Sequence, residues 1–234
     1  METVKINDKG RTKFIAHRGL SGIELENTLC AFVAAGNRPY YGVECDIHVT
    51  TDGRFVVFHD DTSGRLCATD VRMETSDFET IRALKFNGGD AHVVPTLEEY
   101  LSVMARYKKT AVVEIKNRMK ESDIRKVVEI CKANYSLDMI TFISFDFDNL
   151  VDVRKLLPTQ SVQFLTAEFP DGIIDRLAAH GFDIDMGHWL ATAERVRALH
   201  DNGVAVNCWT CDDPADAARL ISYGVDFITT NILE

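Results

Sequence analysis

Histidine, carboxylate, guanidinium and ammonium groups stand at the ends of apolar runs in this chain: His17-Arg18, Glu44-Cys45-Asp46, His59 and Glu114-Ile115-Lys116. Carboxylates gathered at one point repel unless a cation neutralises them, and a hard divalent cation with oxygen ligands does so. Imidazole titrates near neutral pH, so two histidines facing one site can act as base and acid in one displacement. A guanidinium fork suits a phosphoryl group. Together these are the parts for metal-assisted chemistry on a phosphate ester.

The runs that carry them read as β-strands. In Gly42–Val49, Val43, Cys45 and Ile47 alternate with Glu44, Asp46 and His48, and a period of two puts the sets on opposite faces. Ala111–Lys116 repeats the pattern, with Val113 and Ile115 opposite Glu114 and Lys116. If the apolar faces meet helices, strands about 4.8 Å apart bring Glu44, Asp46 and Glu114 together. That set suits one divalent cation, Mg2+ or Ca2+; the competing arrangement is a salt-bridge network with Lys116 and Arg18. His17 ends the first strand and His59 ends an extra extended run, Arg54–His59. Trp209 ends the seventh strand, where it either packs in the core or walls the apolar part of a substrate. Thr229, Thr230 and Asn231 end the eighth, a weak phosphate-site signal. His48, His92, His180, His188 and His200 read as surface or structural.

Strand-like runs alternate with amphipathic helical stretches from end to end. The expected strands are 14–17, 42–49, 111–116, 139–145, 161–167, 182–187, 204–210 and 226–230. The expected helices are 29–36, 97–107, 122–134, 148–156, 171–180, 193–202 and 214–223. Asp213-Pro214 supplies an N-cap and a first-turn proline, and Thr96 caps a helix led by Glu98 and Glu99. Gly36, Gly181, Gly203 and Gly224 read as helix stops. The pattern predicts an α/β fold, a (β/α)8 TIM-type barrel, with the last helix absent or replaced by something at the N-terminus. A doubly wound sheet is the runner-up, without a Gly-rich nucleotide loop to support it. One domain is expected over 1–234, with a short polar insertion over 60–94 after the second strand. Thr51-Asp52-Gly53 reads as a hairpin turn.

A net charge of −10 argues against nucleic-acid or anionic-membrane binding by bulk electrostatics, though a local cation can still reverse the field in one cleft. No apolar run reaches transmembrane length, and the polar start carries no apolar leader core. Cys30, Cys45, Cys67, Cys131, Cys208 and Cys211 read as buried reduced thiols of a cytoplasmic protein. On a strand, Cys208 and Cys211 would point to opposite faces.

At this point the chain resembles the glycerophosphodiester phosphodiesterases. The matching stretches are Ile15-Ala16-His17-Arg18-Gly19, Glu26-Asn27-Thr28 with Ala31-Phe32, Glu44-x-Asp46, Thr51-Asp52-Gly53, Val56-Val57-Phe58-His59-Asp60, Pro95-Thr96-Leu97-Glu98-Glu99, Glu114-Ile115-Lys116, Trp209-Thr210 and Gly224-Val225-Asp226. The resemblance implies hydrolysis of glycerophosphodiesters to an alcohol and glycerol 3-phosphate, an activity of lipid and glycerol metabolism that depends on one divalent cation. It implies Glu44, Asp46 and Glu114 as metal ligands, His17 and His59 as the acid/base pair, and Arg18 and Lys116 on the phosphate. Trp209 would line the glycerol side, and the implied partner is a small-molecule glycerophosphodiester. The resemblance also suggests attack by a glycerol hydroxyl through a cyclic phosphate; the residues alone fit direct attack by water equally well. Which histidine is base and which acid is not readable here. Two alternatives stand: a related enzyme acting on lysophospholipids or sphingolipids, and a non-catalytic barrel that binds phosphorylated ligands. The chain departs from the family pattern at Leu25, where proline is usual, and at Thr230-Asn231-Ile232, where Thr-Asp and then proline are usual.

Overall fold

Strands β1 (Lys13–Ala16), β2 (Gly42–Val49), β3 (Phe55–Val57), β4 (Thr110–Ile115), β5 (Ile140–Ser144), β6 (Ser161–Thr166), β7 (Asp183–Gly187), β8 (Val206–Trp209) and β9 (Phe227–Thr230) form one sheet in the computed structural model. The structure describes residues 2–87 and 92–234; residues 88–91 of the expected insertion lie outside it. All strands but β3 are parallel, and β1 pairs with both β2 and β9, which closes a barrel of eight. Closure excludes the doubly wound sheet. β3 pairs antiparallel with β2 through the Asp52-Gly53 turn, as the sequence predicts.

The helices are α1 (Leu29–Gly36), α2 (Phe78–Arg82), α3 (Leu97–Tyr107), α4 (Glu121–Asn134), α5 (Phe147–Leu156), α6 (Ile173–His180), α7 (Ala193–Asp201) and α8 (Pro214–Tyr223). All but α2 fill the expected positions between barrel strands. α3 starts on a capping box in which Thr96 and Glu99 satisfy each other's backbone N–H groups, and α8 starts on Asp213. β9 is followed by a short pairing in which Val4 N–H donates to the Ile232 carbonyl (3.0 Å) and Glu234 N–H to the Val4 carbonyl (2.8 Å).

The alternation seen in the sequence sorts the two faces. Val43, Cys45, Ile47, Val113 and Ile115 are buried in the core between barrel and helices. Inside the barrel, Ile15, Val112, Ile143 and Leu165 form a second packed cluster against Trp209 and Phe227. The barrel is therefore filled below its mouth, and polar inward groups collect at the rim.

Several expectations need correction. The segment after β3 is not simply polar: Val56, Phe58, Cys67, Met73, Ile81, Leu84, Phe86 and Val94 make an apolar cluster of their own. Leu25 packs against it, which gives that departure from the family pattern a physical reason. Gly36 is not a left-handed helix stop; a Cβ there would lie 2.6 Å from the Tyr107 ring, so glycine lets α1 approach α3. Cys30 is exposed, although the other thiols are buried and all are unbridged. Cys208 and Cys211 share the helix-facing core, because β8 ends at Trp209 and its alternation does not reach Cys211. Among the described residues, no helix is long and apolar enough to cross a membrane.

Candidate active site

The register of β2 against β4 sets Asp46 directly beside Glu114, and Glu44 lies two residues back on the same face. Carboxylate oxygens of the three residues lie within 4.8 Å of one another, all buried. The ion pairs expected as an alternative are present too. Lys116 Nζ lies 2.8 Å from Glu114 Oε1 and 3.3 Å from Asp46 Oδ1, and Arg18 Nε lies 3.6 Å from Asp46 Oδ2. They do not neutralise the whole set. Arg18 is shared with Glu26, at 2.9 Å. Glu44 Oε2 accepts from the Arg18 backbone N–H (2.7 Å), while its buried Oε1 has no hydrogen-bond partner among the described residues.

The electrostatics divide accordingly. Burial, with Asp46 and Glu114 nearby, pushes the Glu44 carboxyl well above its usual range. Burial and Asp46 push Glu114 up to about 8. Asp46 goes the other way: burial opposes its charge, but Lys116 and Arg18 outweigh it, helped by a 2.8 Å hydrogen bond from Asn27 Nδ2. A buried cluster of three carboxyls, in which Glu44 Oε1 has no donor among the described residues, is a set that fits a hard divalent cation.

His17 and His59 reach the cluster from different elements. His17 Nδ1 lies 2.8 Å from Asn231 Oδ1, just past β9. His59, two residues past β3, has its Nδ1 2.6 Å from Asp60 Oδ1. Burial and Arg18 hold the His17 imidazole down to about 4. Burial also lowers His59, against the opposing pull of Asp46. Arg65 joins Asp60 to Glu26 with contacts of 2.6 Å to each, so the segment after β3 is pinned to the loop after β1.

His17, Arg18, Glu44, His59, Glu114 and Trp209 line one pocket in the barrel mouth, with Asp46 and Lys116 behind it. The structure thus brings together the residues expected as metal ligands, acid/base pair and phosphate or glycerol contacts, whereas Thr230 and Asn231, of the weaker phosphate signal, lie outside this pocket. Trp209 Nε1 donates to the Asp185 carbonyl (3.0 Å), which leaves its ring as the face available to a ligand. Phe145 and Trp189 meet that ring edge-on, with centroids 5.5 and 5.6 Å away.

Sequence reasoning missed Asn231 as a partner of His17, Asp60 as a partner of His59, and the rim aromatics Phe145 and Trp189. It also missed Asp185, which lines the same pocket and is 1% exposed. The signal for Asp185 was there. Ile184 and Met186 alternate with Asp183 and Asp185 as Val43 and Cys45 do with Glu44 and Asp46.

A family model described as "Glycerophosphoryl diester phosphodiesterase family" matches residues 17–234. A glycerophosphodiester phosphodiesterase of Bacillus altitudinis is 28% identical over 238 residues, covering 94% of this chain and 94% of that protein. The structure is similar to that of an Oleispira antarctica phosphodiesterase solved in complex with the product sn-glycerol-3-phosphate. Its TM-score is 0.88 at 26% identity, covering 94% of this chain and 92% of that one. A glycerophosphodiester phosphodiesterase from Parabacteroides distasonis aligns with a TM-score of 0.84 at 28% identity, covering 96% and 94%. The barrel, the acidic cluster at its mouth and the match over nearly the whole chain lead to one assignment: this chain belongs to the glycerophosphoryl diester phosphodiesterase family.

Proposed function

We propose that this chain hydrolyses glycerophosphodiesters to an alcohol and glycerol 3-phosphate by two-histidine acid/base catalysis. The observation that carries the reading is the convergence of three buried carboxyls and two imidazoles on one pocket. Glu44, Asp46 and Glu114 would hold a divalent cation, Mg2+ or Ca2+, which when bound supplies positive charge against the phosphoryl oxygens. Arg18 and Lys116, at the edge of the cluster, add positive charge on the same side.

The hydrogen-bond network supports a division of labour between the histidines. Asn231 Nδ2 donates to Asp212 Oδ2 (2.6 Å), and the Ser21 hydroxyl donates to Asn231 Oδ1 (2.7 Å). That orientation makes Oδ1 an acceptor, so His17 Nδ1 carries the proton and Nε2 is free to accept one. We therefore assign His17 as the base. His59 has a carboxylate, Asp60, on its ring, which stabilises the protonated imidazole and suits the acid. A glycerol hydroxyl gives its proton to His17 and attacks phosphorus. The bond from phosphorus to the alcohol oxygen breaks as His59 protonates that oxygen. Water then opens the cyclic phosphate to glycerol 3-phosphate, with the histidines in reversed roles.

Incubation with glycerophosphocholine and with a lysophosphatidylcholine, with and without Mg2+ or Ca2+, tests the reading through released choline and glycerol phosphate. Metal-stimulated cleavage of the first, and little of the second, is expected. No cleavage of either, with the fold intact, overturns it.

A further inference from the structure

Asp185 is a buried carboxyl in the pocket lining that the chemistry above does not use. It sits on β7 facing inward, in register with Leu165 of β6 and Asn207 of β8. The inward polar groups beside it form a layer satisfied by its own members. Asn207 Nδ2 donates to Gln163 Oε1 (3.1 Å), and the Thr229 hydroxyl donates to Asn207 Oδ1 (3.2 Å). Asp185 takes no part in that layer. Its buried Oδ1 has no hydrogen-bond partner among the described residues, and no ion pair reaches it. A buried carboxyl with neither donor nor cation is destabilising, because burial strips its hydration and nothing replaces it. A group retained at that cost in the wall of a reaction pocket is placed for a ligand.

The substrate chemistry says what that ligand group is. The glycerol half carries two free hydroxyls. The one adjacent to the phosphate ester is the internal nucleophile and belongs beside His17 and the acidic cluster. The terminal one then falls in the remaining, mostly apolar space bounded by Ile143, Leu165 and the Trp209 ring, where Asp185 offers a buried oxygen that has no hydrogen-bond partner among the described residues. We propose that Asp185 determines specificity by hydrogen-bonding the terminal hydroxyl of the glycerol half. This rests on the proposed phosphodiesterase reading and extends it to the hydroxyl being read. It does not depend on the charge of Asp185, since a carboxylate accepts from a hydroxyl and a carboxylic acid both donates and accepts. Trp209 ties the two ends of the recognition together, because its indole N–H holds the Asp185 backbone while its ring walls the pocket.

The test compares glycerophosphocholine with propane-1,2-diol 1-phosphocholine, which keeps the hydroxyl next to the ester and lacks the terminal one. Wild-type enzyme should prefer glycerophosphocholine by about 10–100-fold in kcat/KM. Asp185→Leu should lose about that factor on glycerophosphocholine and stay within about twofold on the diol ester, while Asp185→Asn keeps most of both. Thermal denaturation shows whether the variants are folded, and Asp185→Leu should melt no lower than wild type. Equal losses on both substrates would make Asp185 structural and overturn the proposal. So would equal turnover of both substrates by wild type, which needs no variant. Failure of wild type to cleave glycerophosphocholine at all would overturn the parent reading, and this proposal with it.

Discussion

Glu44 is the residue on which the metal reading turns, because its buried Oε1 has no hydrogen-bond partner among the described residues. Excess EDTA should abolish turnover, and Glu44→Gln should need more Mg2+ or Ca2+ for half-maximal activity while melting no lower than wild type. Full activity in EDTA would rule the reading out. Replacing His17 or His59 by Ala should lower kcat by roughly 10²–10⁴ with metal binding preserved. Wild-type kcat in both variants would leave the two histidines structural. Asn231→Ala should lower kcat by roughly 10–100-fold through loss of the His17 tautomer, the usual size for removing a group that orients an imidazole. Asp185 gives a pH prediction. Burial raises its carboxyl in the folded state, with Glu114 adding to the effect, so the native protein holds that proton more tightly than the unfolded chain. The stability it contributes is full below the unfolded value of about 3.9 and is lost as pH rises toward the folded one. The melting temperature of Asp185→Leu should therefore gain on wild type as pH is raised from about 4 toward neutrality. These residues were not equally legible. Glu44, Asp46 and Glu114 stood out because alternation and motif coincided. Asp185 had the alternation and no motif. Asn231 acts through a contact with His17 made only when the last strand meets the first, which no local pattern encodes.

At the scale of elements, the caps and turns carried most of the information. Thr96 with Glu99 and Asp213 with Pro214 marked helix starts that the structure reproduces. The β2–β3 hairpin was legible from Asp52-Gly53, and it matters because it delivers His59. Gly53 has φ +75°, and a Cβ there meets only the end of the flexible Lys126 side chain at 3.0 Å. Gly53→Ala should then cost about 1–2 kcal/mol, from backbone conformation alone. Urea denaturation would show this as a lower midpoint with an unchanged slope, and no loss would mean the turn relaxes. The cluster after β3 was not legible, since Cys67, Met73, Ile81, Leu84 and Phe86 come from separate short segments that sustain neither a helical nor a strand period. The aromatic rim likewise assembles from separate loops: Phe145 follows β5 and Trp189 follows β7.

For the whole molecule, the closed barrel followed from the count of alternating elements, and the charge was plain in the composition. A net charge of −10 repels an anionic substrate at long range. Raising ionic strength to about 0.15 M, where the screening length is about 8 Å, should improve kcat/KM for anionic glycerophosphoglycerol relative to zwitterionic glycerophosphocholine. An identical salt response for both would place all the relevant electrostatics inside the pocket. The bond between His17 and Asn231 joins residues 214 positions apart, across the seam where β9 meets β1. Contacts of such sequence separation form late, because the intervening loop must close before they are rewarded. Catalytic competence should consequently appear in a refolding experiment only after most secondary structure has been regained, with enzyme activity serving as a clock for the final act of ring closure.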